Sequence, residues 1–390
     1  MGGGPLVTKL LTMEESITVI SASKEEVVKY VLDELNAIEN DLPATRPSGE
    51  NGRILKAAAL TIKGRLLMSE KKWADAAVAY KAIIDLNVHQ IDSLYAELFD
   101  GKNEESREII FSRKYLAGEI GNATQLNYRP NVDGGWHGTN PFQSLVNAYL
   151  CIDGKSIEES SLYDPLHPVV KDGVNYRDPR LLYTIFYPGI STIRGQVYHG
   201  HPDSTDVVGD VFTYDVGMTG YCLQKYVDNT YTGDVYDSGI DIPIVRYAEV
   251  LLSYLESKIN AGSAVDQNLL DLTINAVRSR AAVQMPAVTE SDPTKLMEIL
   301  KRERRVELAW EGLRYWDLNR WGEANEKLNN QPQYGIYLTD DPVNYNRFLV
   351  GPDGHYFVIN LKYRSTDLPW PIPQDELDIN TSMSQKDNWE

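Results

Sequence analysis

Between Pro293 and Arg320, apolar residues recur every three or four positions. Leu296, Ile299, Leu300, Val306, Trp310 and Leu313 line one face of a helix, and Glu303 falls on that same face. A carboxylate carried into an apolar interior must meet a cationic, hydrogen-bonding partner, because an unpaired buried charge is very costly. Arg278 and Arg280, on the preceding predicted helix at about 266–282, are the candidate partners. Glu303, Glu307 and Glu311 follow one another at four-residue spacing, which reads as an ion-paired helix side rather than an acid site. Gly312 is expected to end the helix, and Tyr315, Trp316 and Trp321 to wedge the turn after it. Trp310, Trp316 and Trp321 are all assigned to packing.

Other helices announce themselves by caps and spacing. Ser23 with Glu26 forms a capping box, and Val27, Val28, Val31, Leu32 and Leu35 recur at helical spacing until Pro43 forbids continuation. A helical pair is expected at about 53–69 and 72–86, with Trp73 opening its second member. Gly64, Ala76 and Tyr80 fall where the tetratricopeptide pattern places two small residues and an aromatic. Small residues let two antiparallel helices approach closely, and the ring fills the gap. Only one such unit is clear. Helices return at 244–256, 266–282 and 293–320. Between about 120 and 240, Gly, Pro, Asn, Asp and Tyr accumulate in turn chemistry, and Leu182 to Tyr187 reads as a strand. Loops this long inside a folded chain are more often functional than idle. The last stretch is Pro-rich, with Leu368 to Pro373 expected to be extended. Four regions result: 1–120 helical with a tetratricopeptide-like unit, 121–240 loop-rich and ligand-binding, 241–330 a helical core, and 331–390 irregular.

Composition removes several classes of function. Lys and Arg number 38 against 56 Asp and Glu, a net charge of −18, and no basic block offsets it, so nucleic-acid binding is disfavoured. Cys151 and Cys222 are too few for a disulfide framework and read as buried free thiols. No apolar run reaches the ~20 residues needed to cross a bilayer. The opening Met1-Gly-Gly-Gly-Pro-Leu-Val-Thr carries neither a secretion signal nor an anchor, and reads as cut from something longer. His199-Gly-His201 lacks a third ligand, so no metal is expected. No Gly-x-Ser-x-Gly elbow, Walker loop or identifiable glycosidase carboxylate pair occurs, so neither a cofactor nor an enzyme is expected.

The stretch Arg302 to Leu318 looks like the strongest motif of the SusD/RagB outer-membrane nutrient-binding proteins of Bacteroidetes. Six further motifs stand in the same order: Pro5-Leu-Val-Thr, the pair at 53–86, Asn175 to Leu181, Thr219-Gly-Tyr with Lys225-Tyr, Arg246 to Val250, and Ala276 to Ala281. Pro371 to Asn380 closes the series. The chain therefore resembles that family over nearly its whole length. The resemblance implies a mainly α, SusD-like fold, in which tetratricopeptide-type hairpins form a superhelical scaffold around a large irregular region. It further implies a cell-surface, outer-membrane lid that captures oligosaccharides (peptides in the RagB branch) for a SusC-like TonB-dependent transporter, without chemistry. Family members carry a lipoprotein signal, a lipidated cysteine and further helices before the segment at which this chain begins.

Twenty-four tyrosines and seven tryptophans against seven phenylalanines suit such a surface, since Tyr and Trp pair a flat apolar face with a polar edge. The run from Tyr128 to Asn140 supplies both rings and hydrogen-bonding groups. Trp136 is the expected stacking platform, with Tyr128 beside it and Arg129, Asn131, Asp133 and His137 as polar contacts. Tyr198 and His199 form a second candidate. The alternative for Trp136 is that it pins its loop to the body. Rival functions are a protein-binding tetratricopeptide scaffold and a glycoside hydrolase.

Overall fold

The computed structural model describes residues 3–46, 50, 52–201, 218–338, 349–364, 368 and 370–389. The chain forms two compact units. The larger holds Ala44–Arg314 and Pro332–Ile359; the smaller gathers Met1–Pro43, Tyr315–Gln331 and Asn360–Glu390.

In the larger unit the expected hairpin forms from helices Lys56–Ser69 and Trp73–Asp85. Its close approach has a concrete cause. A Cβ on Gly64 would stand 2.5 Å from the Tyr80 ring, so only glycine fits there. The second helix also packs on Tyr247–Asn260, which is buried continuously from Tyr247 to Ser257 and so forms a central core helix. Two acids on that helix enter the interior with partners: Glu249 takes both nitrogens of the Arg65 fork at 2.6 Å, and Glu256 lies 3.7 Å from Arg304. Helix Pro293–Glu307 packs on the same core helix. Among the described residues every sheet has only two strands, for example Ile109–Arg113 with Ile242–Arg246. The fold is mainly α.

The helix expected at 244–256 begins only at Tyr247, after the strand Ile242–Arg246, and the one expected at 266–282 forms as two short helices, Gln267–Leu272 and Ile274–Arg278. Three further local expectations change. Leu182 to Tyr187 is not one strand: a helical turn, Arg180–Thr184, buries Arg180, Leu181 and Thr184 before a two-residue strand, Ile185–Phe186, pairs with Cys222–Leu223. The motif helix stops at Glu307, well before Gly312. Side chains from elsewhere take the carbonyls at its end and just beyond: Tyr95 Oη and Arg246 donate to Glu307 O at 2.9 and 3.0 Å, and Lys225 Nζ to Ala309 O at 2.9 Å. Trp310 then adopts a left-handed φ of 61°, and a new helix begins at Arg314. The third change lies in region 331–390, which contains a strand pair, Pro332–Tyr337 with His355–Asn360, and a helix, Gln374–Ile379. Cys151 and Cys222 are buried free thiols.

The acids of the motif helix do find cationic partners, only partly the expected ones. Glu303 pairs with Arg278 at 2.7 Å, as its position implied, but its other oxygen takes Arg180 at 2.5 Å. Arg280 instead meets Glu307 at 3.0 Å and Glu108 at 2.7 Å. Glu307 also contacts Arg180 and Arg246, each at 2.9 Å, while Glu311 joins Arg246 and Lys225, each at 2.6 Å. With Asp178 on Arg180 at 2.7 Å, five acids face five bases, and the buried network is neutral. Burial pushes the Glu303, Glu307 and Glu311 carboxyls up, but the facing cations outweigh it and hold all three below their ordinary value. A depressed folded-state pKa gives stability that is present above the ordinary value and lost as pH falls through the folded one. Thermal melts between pH 7 and 3 are therefore expected to show a steep loss of melting temperature beginning below about pH 4.5. Equal melting temperatures at pH 5 and 3 would remove this network from the stability of the fold.

In the smaller unit the capping box forms as expected. Glu26 N–H donates to Ser23 Oγ at 3.2 Å, Ser23 N–H donates to the Glu26 carboxylate at 2.7 Å, and the helix runs Lys24–Ile38. No helix among the described residues is long and apolar enough to cross a membrane.

Candidate functional site

The glycine-rich run after residue 120 folds into a closed loop in the larger unit. A short helix, Thr124–Tyr128, leads to Pro130 and a tight turn at Asn131–Asp133, and Gly134 reverses the chain at φ 79°. Three backbone bonds then fold the second half onto the first: Trp136 N–H to Leu126 O at 2.6 Å, His137 N–H to Arg129 O at 3.0 Å, and Gly138 N–H to Asn127 O at 2.8 Å. Gly135 makes this possible, since a Cβ there would lie 2.1 Å from the Arg129 carbonyl oxygen. The loop is stitched to the chain beyond it through Asn122 and Ser238, which exchange backbone bonds at 2.9 and 2.8 Å.

Trp136 stands out from this frame. Its backbone is fixed, yet its side chain is 56% exposed, and the ring of Tyr236 meets it edge-on, centroids 6.4 Å apart and planes at 87°. Tyr236 is 63% exposed and was not foreseen. The signal was present, because Tyr231-Thr-Gly-Asp-Val-Tyr236 repeats the ring-and-turn chemistry of the first loop within region 121–240.

The remaining expected residues divide by burial. Tyr128, Asn131 and His199 are half-buried, and the Tyr128 ring leans on Tyr226 at 6.1 Å. Burial raises the Tyr128 phenol above its ordinary pKa. Arg129 is fully buried and contacts Asp133, whose other oxygen lies 3.4 Å from Arg194. That pair holds the turn together. Arg129, His137 and Tyr198, also expected as ligand contacts, are fully buried. His137 Nε2 is 3.1 Å from both the Tyr221 carbonyl and Tyr198 Oη, while Tyr198 Oη donates to Gly220 O at 2.9 Å. The carbonyl can only accept, so Nε2 carries the proton. Burial lowers this imidazole to about 4 and keeps it neutral. Because the folded pKa lies below the ordinary one, His137 adds a shallower loss of stability as pH falls from 6.5 toward 4. Asn131 Oδ1 and Asn140 Oδ1 are buried acceptors without a partner among the described residues.

Comparison with known proteins identifies the family. The profile of the SusD family matches residues 107–389. A crystal structure described as a SusD-like carbohydrate-binding protein from Bacteroides fragilis is 37% identical with a TM-score of 0.91; the alignment covers 98% of this chain and 75% of that one. A second SusD-like protein from Bacteroides fragilis is 25% identical with a TM-score of 0.77, covering 99% and 75%. SusD-like protein P25 of Formosa agariphila is 23% identical over 99% of this chain and 68% of its own length. With the family profile spanning well over half of its residues, the chain belongs to the SusD family.

Proposed function

We propose that the chain binds oligosaccharides at the cell surface and hands them unaltered to a SusC-like TonB-dependent transporter in the outer membrane. The exposed Trp136 indole, crossed by Tyr236 on a loop closed by its own backbone bonds, carries this reading. The C–H face of a pyranose stacks on such a ring, and a fixed ring loses little entropy on binding. The buried Asn131 and Asn140 oxygens on the same loop are acceptors for ordered water, which would hold the loop in place beneath the ring. The 37% identical relative is described as carbohydrate-binding, which supports the ligand class. Family membership supports the transporter partner, the surface location and binding without catalysis.

Calorimetry against laminarin, xylan, pullulan, mannan and a peptide panel tests the reading. At least one glycan is expected to bind, and Trp136→Ala to weaken it about tenfold with the melting temperature unchanged, the weight of one stacking contact. Unchanged affinity in the variant moves the site elsewhere. Heat with peptides alone replaces the ligand class by the peptide-lid reading. New reducing ends after incubation overturn binding without catalysis. Absence of a TonB-dependent transporter from pull-downs of the native membrane protein overturns the delivery step.

A further inference from the structure

We propose that the smaller unit carries a second oligosaccharide platform, formed by Trp316 and Trp370, the latter on a strap anchored to the wall of a polar cleft. This rests on the glycan-binding reading above and adds to it a site distinct in sequence and in compact unit from Trp136.

The first observation is exposure. Trp316, on helix Arg314–Trp321, is 42% exposed and Trp370 is 59% exposed, although their rings touch with centroids 5.9 Å apart and planes at 48°. Tyr315 braces Trp316 edge-on at 5.3 Å and 78°. An indole used only for packing buries its faces. Two adjoining indoles that leave about half of themselves in water form an amphipathic patch of the kind that marks a binding surface. Packing was the expected role of Trp316, and it accounts for only part of this geometry.

Rigidity is the second. Pro371 and Pro373 fix φ on either side of Ile372. Gln385 then holds Ile372 in both directions: the Ile372 N–H donates to Gln385 Oε1 and Gln385 Nε2 donates to Ile372 O, each at 2.9 Å. Trp370 thus projects from a strap whose ordering cost is met in folding rather than in binding.

The third is what adjoins the strap. Gln385 is also a wall of a cleft of about 450 Å³, lined by Ile20, Ser21 and the run Ser382–Asn388. That volume lies within the range of small-ligand sites. Its polar lining is hydroxyl and amide, and its one cation and one anion, Lys386 and Asp387, offset each other. Flat rings on a strap that Gln385 ties to a neutral hydrogen-bonding cleft fit an uncharged polyhydroxyl chain better than an acidic peptide or a polyanion.

Native electrophoresis through gels containing laminarin, xylan, pullulan or mannan tests this, with wild type, Trp136→Ala, Trp370→Ala and the double variant run side by side. In a gel that retards the wild type, Trp370→Ala is expected to raise the apparent Kd about tenfold, Trp136→Ala to act separately, and the double variant to run as in a plain gel. Trp370→Phe keeps a ring on the strap and is expected to retain most of the retardation. If it falls as far as the alanine variant, the residue is structural and the proposal is overturned. Wild-type retardation from Trp370→Ala overturns the second platform and leaves the first reading standing. A wild-type chain retarded by none of the gels overturns both.

Discussion

Glu307→Gln is expected to lower the melting temperature of the larger unit by on the order of 10 °C, from a loss of about 3–5 kcal/mol. Glu307 is the centre of the buried network: its carboxylate meets Arg180, Arg246 and Arg280, and its carbonyl takes Tyr95, Arg246 and Lys225. Five acids then face five bases, and removal of this acid leaves an excess buried positive charge centred on Arg180, Arg246 and Arg280, the three guanidinium groups that its carboxylate meets. Arginine cannot release its proton to relieve the excess. Glu311→Gln makes the informative contrast. One of its two partners is Lys225, whose ammonium burial already lowers to about 8 against the pull of Glu311. Loss of Glu311 takes that value lower still, so Lys225 sheds its proton and the imbalance is absorbed. The Glu311 variant should therefore melt well above the Glu307 variant at pH 7. Equal melting temperatures for wild type and Glu307→Gln would show that the network is not a determinant of stability.

How much of this was legible in the sequence depended on the range of the interaction. The Ser23–Glu26 capping box and the Gly64–Tyr80 contact were readable because helical spacing fixes which residues meet within one hairpin. That Glu303 needs a cation was equally readable from its apolar face. Arg278 could be named, since it sits on the preceding helix, whereas Arg180 lies 123 residues away and no local pattern points to it. The early end of the motif helix was invisible for the same reason: the side chains that take the carbonyls at its end and just beyond come from Tyr95, Lys225 and Arg246. Loop chemistry was legible as composition and not as direction. A helix or strand has a period that assigns faces, but the run from Tyr128 to Asn140 has none. Nothing in the sequence said that Arg129 and His137 turn inward while Trp136 turns out. Tyr236 was missed because it joins Trp136 only through the folding of two separate loops.

That dependence on loop geometry makes Gly135→Ala the most disruptive single change expected for ligand binding. The new Cβ would lie 2.1 Å from the Arg129 carbonyl oxygen and 2.5 Å from its carbonyl carbon. Both are backbone atoms, so no side-chain rotation relieves the clash. The same oxygen accepts the His137 N–H, and the adjacent residue is Trp136, so relief of the overlap opens the bonds that hold the indole in place. Overpacking of this kind costs roughly 1–3 kcal/mol. Confined to one loop, it lowers the population of the binding-competent form and raises the apparent Kd about ten- to hundredfold. Gly134→Ala is the control. Its φ of 79° disfavours a side chain, but nothing stands within 4 Å of the added carbon, so the cost is about 1 kcal/mol of backbone strain and the loop stays closed. Calorimetry with a glycan that binds the wild type, beside melting curves and near-ultraviolet circular dichroism of the indole, separates the two. Gly135→Ala should lose affinity and indole signal together while the main melting transition moves little, and Gly134→Ala should keep both. If Gly135→Ala instead binds with wild-type affinity, this loop does not hold the ligand, and Trp136 loses its role as the platform.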